Sequence, residues 1–70
     1  MVSRTVPSLD TNQMQVLELA AKGCNTGEIA SELGWRVDQV LVTKNGIVLV
    51  LGAHNWTNAV AIAMYYELIK

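Results

Sequence analysis

The sequence predicts an all-α fold, on three observations. Three stretches carry apolar residues at helical spacing, each is preceded by a capping residue, and the composition must reach compactness by burial alone. The chain has 70 residues, 51% of them hydrophobic and 16% charged, with one proline and one cysteine. That length holds a single domain, and its apolar content excludes disorder, collagen-like repeats and a charged linker. Cys24 is alone, so no internal disulfide is expected, which excludes a disulfide-stapled secreted scaffold and fits a cytoplasmic protein.

Residues 1–8 read as a flexible amino-terminal arm, because Pro7 disfavours helix at Val6 and nothing periodic precedes it. The arm carries Arg4 but neither the apolar stretch nor the cleavage site of a secretory signal. The folded domain is expected over 9–70. Asp10 or Thr11 can cap a first helix, in which Met14, Leu17, Ala20 and Ala21 recur with Val16 alongside, and Gly23 ends it after Lys22. Asn25 or Thr26 caps a second, with Ile29, Ala30 and Leu33 turned inward, Glu28 near its positive end and Gly34 at its close. Behind an Asn55 or Thr57 cap, Ala59, Val60, Ile62, Ala63 and Tyr66 form the apolar side of a last helix, predicted from Thr57 to Ile69.

Between these helices, Arg36 to Leu51 obeys two local rules at once. As a β-hairpin over 39–51 it offers two runs rich in β-branched residues around Asn45-Gly46, the dipeptide most typical of a type I′ turn. As a helix it aligns Val40, Lys44, Ile47 and Leu51 on one side, with Gly46 costing about 1 kcal/mol relative to alanine. Local propensity favours the hairpin.

Several function classes fall away on composition. Five Lys and Arg stand against six Asp and Glu, a net charge of −1, whereas a domain that grips phosphates is usually well into positive charge. The long uncharged run from Asn45 to Tyr66 is interrupted by polar residues, so no membrane span is expected. His54 has no second His, Cys cluster or carboxylate at metal spacing, so neither a metal nor a cofactor is expected. No phosphate loop or nucleophile triad is present, and neither catalysis nor a small-molecule ligand is expected. Cys24 reads as an inert, buried thiol.

A longer-range pattern bears on the contested segment. Val16-Leu17 with Leu19, Gly23, Glu28-Ile29-Ala30, Leu33, Val40, Ile47, Leu51-Gly52, Asn55 and Ala59-Val60 run through nearly the whole folded chain without insertion or deletion. In that order and spacing the chain resembles the helix-turn-helix domain of the LuxR and GerE family of bacterial transcription regulators. The resemblance implies four helices, of which the second and third form the helix-turn-helix, the third enters the major groove and the fourth often pairs two subunits. It implies that Arg36 to Leu51 is a helix, and that Trp35 is a core wedge in the turn before it.

The chain departs from the family where the family is cationic. Arg36 stands at the usual Ser or Thr cap, Gln39-Val40-Leu41 replaces a Thr-Val-Lys run, and Thr43 replaces a His. Leu49-Val50 replaces a basic pair, and Trp56 replaces an Arg. On a wheel of about 100° per residue with Val40 at zero, Leu41, Val42, Val48 and Leu49 fall between about 80° and 200°, on the outward side. Bare aliphatics gain little in a charged, hydrated groove, and the arm, with Val2, Val6 and Leu9, offers little cover for them.

Two mechanisms follow. In the first, the fold persists with a blunted DNA grip and docks on another protein, a transcription regulator, or on itself as a homodimer. Its interface would be Leu41, Val42, Val48 and Leu49 with Trp56, Met64 and Tyr65; Trp56 fits equally an inward position or an exposed anchor. In the second, a dimer joined through the last helix reads DNA, with Arg36 and Lys44 on phosphates and Gln39, Thr43 and Asn45 on bases. A structural or assembly subunit is a third possibility.

Overall fold

Three of the four helices, α3 being the exception, begin where a side chain takes up a first free amide. In a computed structural model, which describes residues 8–67, Asp10 caps α1 (Thr11–Ala21) and Asn25 caps α2 (Thr26–Leu33). Both caps are reciprocal. The Gln13 amide donates to Asp10 Oδ1 at 2.7 Å while Asp10 N–H donates to Gln13 Oε1, and Asn25 and Glu28 repeat the arrangement. Asn55 caps α4 (Trp56–Tyr65), its Oδ1 accepting from the Asn58 amide at 2.8 Å.

The contested segment is helical throughout: α3 runs Val37–Leu51, and no strand occurs among the described residues. The choice follows from burial. Val40 and Ile47 are fully buried and Leu51 nearly so, and about 1.5–3 kcal/mol for each such side chain outweighs the roughly 1 kcal/mol that Gly46 costs in mid-helix. A hairpin closed at Asn45-Gly46 would pair Val40 with Leu51 and Lys44 with Ile47. It would set Val40, Ile47 and Leu51 on one face together with Val42 and Leu49, which the structure instead leaves exposed. Gly46 also lies where α1 approaches, since a Cβ placed there would come within 3.3 Å of Gln13 Nε2.

α3 is the centre of the fold and packs against each of the other three helices. The core is Val16 and Leu17 from α1, Ile29 and Ala30 from α2, Val40, Ile47 and Leu51 from α3, and Ala59 and Ala63 from α4. Leu9, Met14, Leu33, Cys24, Trp35 and Trp56 pack around it, half-buried. Ala21, expected on the inward stripe of α1, is exposed in the last turn of that helix. α2 stops at Gly34, whose φ of 69° is left-handed and suits a residue without a Cβ.

The last helix is shorter than expected. Its regular run ends at Tyr65, Tyr66 forms the cap and Glu67 turns left-handed at φ 59°. Residues 68–70, at the end of the predicted helix, and residues 1–7 of the predicted arm lie outside the described residues. No single helix among the described residues is long and apolar enough to cross a membrane, and the α3–α4 pair that together has the composition is bent by 55°.

Candidate functional site

Between α2 and α3 the chain makes a three-residue turn, Gly34, Trp35 and Arg36. The left-handed Gly34 reverses the chain, the Trp35 amide donates to the Ala30 carbonyl at 2.9 Å, and the half-buried Trp35 ring packs against the core. The turn delivers α3 with one side sealed and the other open.

The open side is aliphatic. Leu49 is 80% exposed and Val42 70%, with Leu41 about half exposed. Val48 differs from the expectation that it points outward: it is half-buried and packs on the core. At about 80° from the buried direction, it sits under the turn after α3, where the Ala53 amide donates back to the Val48 carbonyl at 3.0 Å. Two exposed aliphatics escape the sequence reading, Val37 at the first turn and Val50 near the last. Val37 points partly toward the core on a wheel, but it lies in the first turn of α3 and remains 49% exposed. A shallow depression lined by Asp38, Gln39, Val42 and Thr43 lies beside Val42.

The cations of α3 are engaged within the chain. Arg36 forms a two-pronged pair with Asp38, Nη2 to Oδ2 at 2.8 Å and Nε to Oδ1 at 3.2 Å. This pair is exposed and adds about 1 kcal/mol or less to stability, yet it sets an acid beside the guanidinium. A guanidinium can only donate, so Arg36 cannot cap the Gln39 amide, which turns to the Arg36 carbonyl instead. Only the return half of a capping box survives, Arg36 N–H donating to Gln39 Oε1 at 2.9 Å.

Lys44 emerges close to the buried direction and is held by two other helices. Its Nζ donates to Thr26 Oγ1 at 2.7 Å and stands 5.0 Å from the centre of the Trp56 ring. Burial lowers the Lys44 pKa from its ordinary 10.5. Trp56 is therefore neither a bare anchor nor a core residue; it is half-buried, packed on the core edge and under an ammonium.

The remaining predicted site residues separate. Gln39 is committed to its helix start, and the Thr43 hydroxyl donates to the Gln39 carbonyl at 2.8 Å, leaving Asn45 as the exposed polar residue in mid-face. Met64 and Tyr65 are exposed on α4, Tyr65 edge-on to Tyr66 with ring centres 5.3 Å apart. No group of three His, Cys, Asp or Glu among the described residues could hold a metal ion. Comparison of the chain with protein-family models, with curated proteins and with solved structures finds no match.

Proposed function

We propose that the chain is a small transcription-control protein, similar to the helix-turn-helix domain of LuxR and GerE regulators, that acts by docking the outward face of α3 on another protein and holds DNA only weakly. The observation that carries this is the exposure of Val42 and Leu49, 70% and 80%, at the middle of the helix that a DNA-binding relative would insert in the groove. A large exposed aliphatic pair on a central helix marks an interaction surface.

The charges support the same reading. A phosphate contact at Arg36 competes with Asp38 at 2.8 Å, and one at Lys44 must break the bond to Thr26 and leave the Trp56 ring. Each phosphate contact forgone weakens DNA binding steeply at physiological salt. The partner class that fits is a transcription regulator with an apolar groove, or the same face of another copy. α4 adds Met64 and Tyr65 as a further apolar area.

The test is capture of partners from bacterial lysate with the immobilised chain, its Leu49→Lys variant and a Gln15→Lys control on the exposed side of α1. A stoichiometric partner retained by wild type and control and lost by Leu49→Lys supports docking through α3. A partner indifferent to Leu49→Lys contradicts it. Capture of DNA instead of protein favours the dimeric regulator that reads with Gln39, Thr43 and Asn45.

A further inference from the structure

We draw no further inference here: the strongest candidate, the outward aliphatic face of α3 around Val42 and Leu49, is exposed, and nothing in the structure shows what covers it.

Discussion

The ammonium of Lys44 sits between Thr26 and Trp56, 2.7 Å from the hydroxyl of one and 5.0 Å from the ring centre of the other. One side chain of the central helix thereby ties the start of α2 to the start of α4. A cation that would serve a phosphate in a DNA reader instead holds the bundle together. A double-mutant cycle with Thr26→Val and Lys44→Met should give a coupling of about 1 kcal/mol in urea unfolding, below the roughly 1.5–3 kcal/mol of a hydrogen bond to a charged group because the pair is only part-buried. A coupling near zero would mean that the contact is not made in solution.

The same lysine gives stability a pH dependence with a definite sign. Burial lowers its folded pKa below the ordinary 10.5, so above the folded value the unfolded chain binds more protons than the native one. Stability therefore rises with pH between the lowered value and 10.5, and the cost of burying the charge is constant below that window. Urea midpoints of wild type minus those of Lys44→Met, followed into the alkaline range, should climb. A difference that stays flat contradicts the burial.

Glycines 46 and 52 should respond oppositely to alanine. Gly46 is in mid-helix and a Cβ there meets only the far end of the Gln13 side chain at 3.3 Å, so Gly46→Ala should stabilise by about 0.5–1 kcal/mol. Gly52 holds φ 64° with open space around it, and Gly52→Ala should destabilise by roughly 1 kcal/mol through backbone strain alone. Thermal unfolding of the two variants separates the effects. It also tests α3 as a helix, since a hairpin turn at Asn45-Gly46 would make Gly46→Ala the damaging change.

Sidedness of α3 predicts a contrast between near neighbours. Leu49→Lys and Val42→Lys touch exposed side chains and should leave monomer stability within about 0.5 kcal/mol. Ile47→Ala, two residues before Leu49, opens a cavity at a fully buried site and should cost about 2–5 kcal/mol. Denaturant unfolding at low protein concentration reads both without a dimer contribution.

Much of the fold is legible in the sequence because it is written in local signals: Asp10, Asn25 and Asn55 cap, Gly34 stops, and Ile29, Ala30, Ala59 and Ala63 recur at helical spacing. Residues 37–51 are not legible locally, since β-branched content and Asn45-Gly46 point to a hairpin while the burial of Val40, Ile47 and Leu51 exists only once the other helices are in place. On the site, Val42 and Leu49 are correctly outward by periodicity, but Val37 and Val48 differ because exposure also depends on where along the helix the neighbours reach. The employment of Lys44 by Thr26 and Trp56 joins positions 18 and 12 residues away and leaves no signal in spacing.

Binding of labelled mixed-sequence DNA as a function of salt tests most directly whether α3 is an apolar docking helix. With Arg36 on Asp38 and Lys44 on Thr26, the chain should bind weakly even at about 50 mM salt, with a log-log slope near zero to −2. Tight binding that collapses with a slope of about −5 or steeper, the mark of many phosphate contacts, would contradict it.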